Sequence, residues 1–165
     1  DRKNLGILSN LSIEKNMSIS NLKRCTKKTL VSTNKEEEAV NGMVKNLQIK
    51  LASAKNLITS LSGGNQQKVI IGKSLLTNVK VLLMDEPTRG IDVAAKHDVF
   101  TICDKLANQG FAVIFVSSEM QEILAASRQG LPINILLMIR GYYSPLLRYS
   151  FQSVPSMVSS LISQS

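Results

Sequence analysis

Leu61-Ser62-Gly63-Gly64-Asn65-Gln66-Gln67-Lys68 decides how this chain is read, and Met84-Asp85-Glu86-Pro87 follows it at close range. The first stretch is a glycine loop opening a helix. Free backbone N–H groups and the positive end of the helix dipole there make a ready anion site. The second is an apolar run, Val79 to Met84, that stops at two adjacent carboxylates. A strand ending in an Asp-Glu pair is suited to holding Mg²⁺ and orienting an attacking water. A phosphate cradle and a metal-plus-base pair in one chain point to nucleotide hydrolysis.

Outward from these stretches the pattern alternates. Asn65–Thr77 is expected to be a helix with Val69, Ile70, Leu75 and Leu76 on its apolar face, and Val79–Met84 a strand buried throughout. Asp92 is expected to cap a helix running to about Asn108, with Val99, Cys103 and Leu106 on one side and Gly110 as its stop. Phe111–Ser117 reads as a second buried strand and Glu119–Ala126 as a short helix. Apolar strands alternating with helices mean a parallel α/β architecture. Before the glycine loop, Ser12 or Ser18 could cap a short helix through Leu22. Thr33 or Asn34 precedes Glu36-Glu37-Glu38, a helix start with acids in its first turn. Ala39, Val40, Met43, Val44 and Leu47 would form that helix's buried stripe.

Leu61–Lys68 resembles the signature motif of ABC ATPases, and Val81–Glu86 resembles their Walker B strand. Asp85-Glu86-Pro87-Thr88-Arg89-Gly90-Ile91-Asp92 is similar to the Walker B end running into the D-loop of the twin-cassette ATPases of bacterial monosaccharide import (ribose, galactose, xylose, arabinose). The resemblance covers about Asp1 to Ser127, and the Asn-Gln-Gln-Lys and Thr-Arg-Gly-Ile-Asp-Val runs match the second cassette of those proteins. It implies an α/β fold, a fragment of an ABC-type P-loop NTPase cassette with a helical signature subdomain and part of the parallel sheet core. The expected divisions are 1–61, the end of the helical subdomain; 62–127, the signature helix, Walker B, D-loop and switch region; and 128–165, a divergent or frame-shifted tail.

Residue roles follow from the same resemblance. Ser62, Gly63 and Gly64, with Asn65 and Gln66, would meet the γ-phosphate of an ATP held mainly by an opposing cassette. Asp85 would bind Mg²⁺ through water, Glu86 would orient or deprotonate the attacking water, and Asp92 would both cap its helix and contact the partner cassette. Ser118 stands where such cassettes usually carry a histidine. A serine donates one hydrogen bond but brings no positive charge, so a site built on this cassette's own Walker B would be weak or regulatory. His97 reads as a surface residue. No Gly-x-x-x-x-Gly-Lys-Ser/Thr run occurs in the sequence, and the glutamine loop of the family would precede Asp1, so the chain is not expected to be an independent ATPase.

The implied partners are a second ATP-binding cassette, membrane permease subunits and, indirectly, a periplasmic or extracellular sugar-binding protein. The implied place is the cytoplasmic face of the bacterial inner membrane, as a peripheral component. Composition agrees with a globular chain: 165 residues, 44% hydrophobic. The formal charge is +8, much of it between Arg2 and Lys55 without interleaved aromatics, which reads as a solvated basic surface. That charge keeps open a nucleic-acid-associated ABC-type ATPase, although the Thr88–Asp92 run speaks against it and no nucleic-acid partner is expected. A third reading is an inactive truncated remnant with exposed strand edges. Cys25 and Cys103 have neither metal nor redox spacing. From Ile123 onward only Lys- and Arg-type charges remain possible, since no acid occurs there. Residues from about Arg128 are either the product of a shifted frame or a genuine divergent end.

Overall fold

The computed structural model describes residues 6–27, 30–128 and 135–139. The three tyrosines and the three prolines of the expected tail lie outside them. The chain divides into two compact units, Asp1–Val79 with Thr88–Ile102, and Lys80–Pro87 with Cys103–Ser165.

The first unit is helical. Helix α1 (Ile13–Ser18) is capped by Ser12, whose Oγ accepts from Lys15 N at 3.2 Å. It is shorter than the expected run to Leu22. From Ile19 the chain tightens into 3₁₀ geometry to Cys25, broken by a non-helical Asn21 (φ −143°, ψ 52°) whose side-chain amide donates to the Leu76 carbonyl. A tertiary partner for Asn21 thus ends what local pattern would have continued. A small antiparallel hairpin, β1 (Thr26–Lys27) and β2 (Leu30–Val31), follows.

Helix α2 (Thr33–Asn46) starts earlier than expected, with Ser32 rather than Thr33 or Asn34 at the cap position and no side-chain cap bond. Glu36 lies in the first turn of the helix, as expected. It is fully buried, accepting from Lys15 Nζ at 2.6 Å and from Ser18 Oγ at 2.5 Å. Burial pushes its carboxyl up, but those two hydrogen bonds and the Lys15 charge outweigh it and hold the group below its ordinary value.

Helix α3 (Gly63–Leu75) packs against α1 and α2. Its inward stripe is Lys68, Ile71, Gly72 and Leu75, spaced as one helical face, with Val69 also buried. The sequence reading missed Ile71 and placed the half-exposed Ile70 inward. A Cβ on Gly72 would sit 2.8 Å from Met43 Cγ, 3.2 Å from Leu47 Cδ1 and 3.3 Å from Met17 Cε, so the glycine sets how closely the three helices approach. Helix α4 (Val93–Asn108) runs over the expected span, and Gly110 ends it at φ +90°.

The second unit holds a parallel sheet of order β3 (Val81–Asp85), β4 (Ala112–Ser117), β5 (Ile135–Ile139). Val81 pairs with Ala112 and Val113 with Ile135 in register. Parallel pairing is as expected; β5 is not, because it falls in the stretch set apart as a divergent tail. Leu82, Met84, Val113, Phe115 and Ile135 are buried on one face, and α5 (Met120–Arg128) packs on β4 and β5 with Ile123 buried. The other face differs from the fully buried strand of the sequence reading. Val81 is 52% and Leu83 67% exposed, since no layer within the described residues of this unit covers them. Among the described residues no helix is long and apolar enough to cross a membrane.

Candidate functional site

In the first unit the glycine loop opens α3 as expected, with Ser62 at the cap position (φ −60°, ψ 157°). Ser62 Oγ caps no amide of the first turn. It accepts instead from Asn65 Nδ2 at 3.0 Å, and Asn65 Oδ1 accepts from Lys50 N at 2.9 Å. Ser62 is exposed, and a hydroxyl that accepts one hydrogen bond still has a proton available to donate. Gln66 N makes the first intrahelical bond, to Ser62 O at 2.9 Å. The Gln66 amide donates to Leu61 O at 3.0 Å and Ile58 O at 3.4 Å, so this side chain braces the turn before the helix. Asn65 and Gln66, read from sequence as ligand contacts, are placed to hold the loop's shape.

Two features tie this loop to α4 within the same unit. Gly64 lies so close to Ala95 that a Cβ would collide with the alanine methyl. Lys68, buried beneath the loop, donates to Asp98 Oδ2 at 2.7 Å and to Gln48 O at 3.4 Å. Asp92 caps α4: its Oδ1 accepts from Ala95 N at 2.9 Å and its carbonyl from Lys96 N at 2.9 Å. The first turns of α3 and α4 therefore share one end of the unit, with Ser62 and Asp92 both exposed there. Sequence reasoning missed Lys68 and Asp98 as a pair. Thirty residues separate them, and only the i, i+3 spacing of Lys68 with Ile71 could have hinted that the lysine points inward. His97 is exposed, as expected.

In the second unit Asp85 and Glu86 stand at the carboxyl end of β3, the end of a parallel sheet where ligands bind. Glu86 has φ +53°, left-handed backbone in a residue with a side chain, and its N–H donates to Val116 O at 2.8 Å. Such conformations cost about 1–3 kcal/mol and concentrate at functional positions. The sheet bond to Val116 holds the main chain in this conformation. Ser118 follows β4 on the neighbouring strand and is exposed, so the unit brings Asp85, Glu86 and Ser118 to one end of its sheet. Ser117, by contrast, is buried: its Oγ donates to Glu122 Oε2 at 2.9 Å and accepts from Glu119 N at 3.0 Å. Cys103 is buried too, and burial pushes its thiol up to about 12, which makes it a poor nucleophile.

The profile of the family described as ABC transporter matches residues 2–89, more than half of the chain. This chain belongs to the ABC transporter family. Among its ABC relatives, the ribose import ATP-binding protein of Halalkalibacterium halodurans is 41% identical over 141 residues, 86% of this chain and 27% of that protein. The galactose/methyl galactoside import ATP-binding protein of Haemophilus influenzae is 44% identical over 142 residues, again 86% and 27%. The xylose import ATP-binding protein of Thermoanaerobacter pseudethanolicus is 40% identical over 134 residues, 81% and 26%. The chain thus spans about a quarter of the length of these curated relatives. The dimeric structure of a bacterial ABC transporter cassette superposes with TM-score 0.58 at 20% identity, over 82% of this chain and 55% of the cassette. A dimeric cassette in a post-hydrolysis state with ADP and Pi also gives 0.58, at 19% identity, over 79% and 53%. The fold is therefore part of a P-loop NTPase cassette. A nucleic-acid-associated ATPase finds no support among the named relatives.

Proposed function

We propose that this chain is the signature-bearing part of an ATP-binding cassette of a bacterial monosaccharide importer, from the second cassette of the pair. The observation that carries the reading is Ser62 at the opening of α3, exposed, with its hydroxyl accepting from Asn65 Nδ2. In this reading Ser62 Oγ and the amides of Gly63 and Gly64 meet the γ-phosphate of ATP on an opposing cassette, helped by the dipole of α3. Asp92, one helix turn from the Gly64–Ala95 contact, faces the same partner.

The donor set at the end of β3 suits Mg²⁺. Both side chains offer hard oxygen, and Mg²⁺ is held by one or two carboxylates plus water and phosphate rather than by a protein cage. Asp85 would hold the ion and Glu86 would accept the proton of the attacking water. Mg²⁺ when bound supplies charge neutralisation of the phosphates. Ser118 donates one hydrogen bond without a charge, which makes a site built on this β3 slow. A permease, a sugar-binding protein reached through it, and the cytoplasmic face of the membrane complete the proposal.

The test is ATP-dependent association. The chain is mixed with an ABC cassette from one of the ribose-import relatives that carries a phosphate-binding loop and a glutamine in place of its catalytic glutamate. A complex should form by light scattering only with ATP, and Ser62→Arg should abolish it. Association independent of ATP, or none with either, sinks the reading. One observation favours a second reading, the inactive remnant: the naked Val81 and Leu83 face. Aggregation of the chain in place of a monodisperse species would support it.

A further inference from the structure

Ser62 breaks a local rule at the start of α3. A serine at a helix cap position ordinarily accepts a first-turn backbone N–H, a bond worth about 1 kcal/mol. Ser62 caps none. Its Oγ is taken instead by the Asn65 side chain, whose Nδ2 donates to it at 3.0 Å. Local rules are broken in this way where a side chain is held for another purpose.

The Asn65 carboxamide has two ends, and a backbone group decides which end meets which neighbour. Asn65 Oδ1 accepts from Lys50 N at 2.9 Å, from 15 residues away in sequence. A backbone N–H donates and never accepts, so the carboxamide oxygen must face Lys50. The NH₂ end is then left for Ser62, and an NH₂ group only donates. Ser62 Oγ is therefore the acceptor in this contact and does not give its proton to Asn65. Turning the amide over would set donor against donor at Lys50 and leave that backbone N–H without its acceptor. Gln66 takes no part, since its side chain donates to Leu61 O and Ile58 O.

We propose that Asn65 is a positioning residue: anchored by the Lys50 N–H, it holds the Ser62 hydroxyl as an acceptor and so reserves the serine proton for a phosphate oxygen. This rests on the reading given above, in which the ligand at Ser62 is ATP on an opposing cassette. Asn65 itself touches no ligand in this account and acts through Ser62. A serine hydroxyl is both donor and acceptor and rotates to suit its neighbours. A fixed donor at one lone pair removes the orientations that would point the proton back into the loop.

Asn65→Asp separates the two ends of the side chain. It keeps an oxygen for Lys50 N but has no donor for Ser62, and its carboxylate draws the serine proton to itself. The first measurement is NMR of the isotope-labelled full chain without nucleotide. Ser62→Ala should shift the Asn65 side-chain NH₂ resonances and leave the Lys50 amide in place, whereas Asn65→Ala should move the Lys50 amide. Asn65 NH₂ resonances indifferent to Ser62→Ala overturn the proposal. The second is the dissociation constant of the ATP-dependent complex with the relative's cassette, read as a double-mutant cycle. Ser62→Ala should weaken the complex about tenfold or more, the scale of one hydrogen bond to a charged group. Asn65→Asp should weaken the parent at least as much, and the Ser62→Ala chain about tenfold less, because no proton is left there to misdirect. Equal penalties in the two backgrounds mean that Asn65 acts on the nucleotide directly, and they overturn the proposal. If the parent chain forms no ATP-dependent complex, the transport reading fails, and the NMR measurement alone decides whether Asn65 holds Ser62.

Discussion

Lys68 and Asp98 form an unequal pair, and the inequality predicts an unequal response. The Lys68 side chain is 7% exposed and the Asp98 side chain 52%. Asp98→Asn leaves an ammonium inside the unit with only Gln48 O, at 3.4 Å, to meet it. Breaking a buried ion pair by removing one partner costs about 3–5 kcal/mol. Here half the pair is wet and solvent screens it, so about 2 kcal/mol is the fitting figure. Lys68→Met keeps most of the packed stem and leaves an aspartate that water can solvate, so it should cost less than about 1 kcal/mol. The double variant should cost little more than Lys68→Met. Hydrogen exchange of the α3 amides reads the first unit directly. A 2 kcal/mol loss speeds exchange about 30-fold, at tenfold per 1.4 kcal/mol. If Lys68→Met accelerates exchange more than Asp98→Asn does, the charge is a net stabiliser and the desolvation argument fails.

Gly64→Ala forces a methyl against Ala95 on a neighbouring helix and should cost about 1–3 kcal/mol as overpacking; Gly72→Ala, which meets Met43, Leu47 and Met17 at once, should cost a similar amount, with urea midpoints to compare them. Glu36 is held below its ordinary value, 4.5, in the folded chain. Its contribution is thus fully present above that value and is lost as pH falls through the lower folded value. Glu36→Gln should flatten the pH dependence of thermal stability below about 4.5 relative to the parent, and parallel curves would refute the assignment. Leu83→Ser should leave stability within about 0.5 kcal/mol, as expected for a surface site, while reducing dye binding by the open sheet face; a large loss of stability would mean that this face is covered in solution.

Much of the α/β order could be read directly, and the reasons are local. Asp92 and Gly110 bracket α4 because a cap and a left-handed stop act within a turn of themselves. The strands β3 and β4 announce themselves as short apolar runs between turn residues. The signature loop was legible because glycine and serine at a helix start have few other uses. The stripe on α3 was misread because Lys68 looks polar in one dimension, and only Asp98 makes its burial tolerable. The burial of Glu36 was not legible for the same reason: its partners Lys15 and Ser18 lie on another helix.

By itself, then, the sequence determined which chemistry this chain carries and in what order its helices and strands come. Glycines, caps and paired carboxylates act through neighbours only a few residues away. Tertiary structure alone decided how those groups are held. It put Asn65 on the Ser62 hydroxyl, placed Glu86 in left-handed backbone with its N–H bonded to Val116 O, and seated Lys68 against Asp98. Each depends on partners brought together by packing, and the energy of a buried charge is set by those partners rather than by its place in the chain.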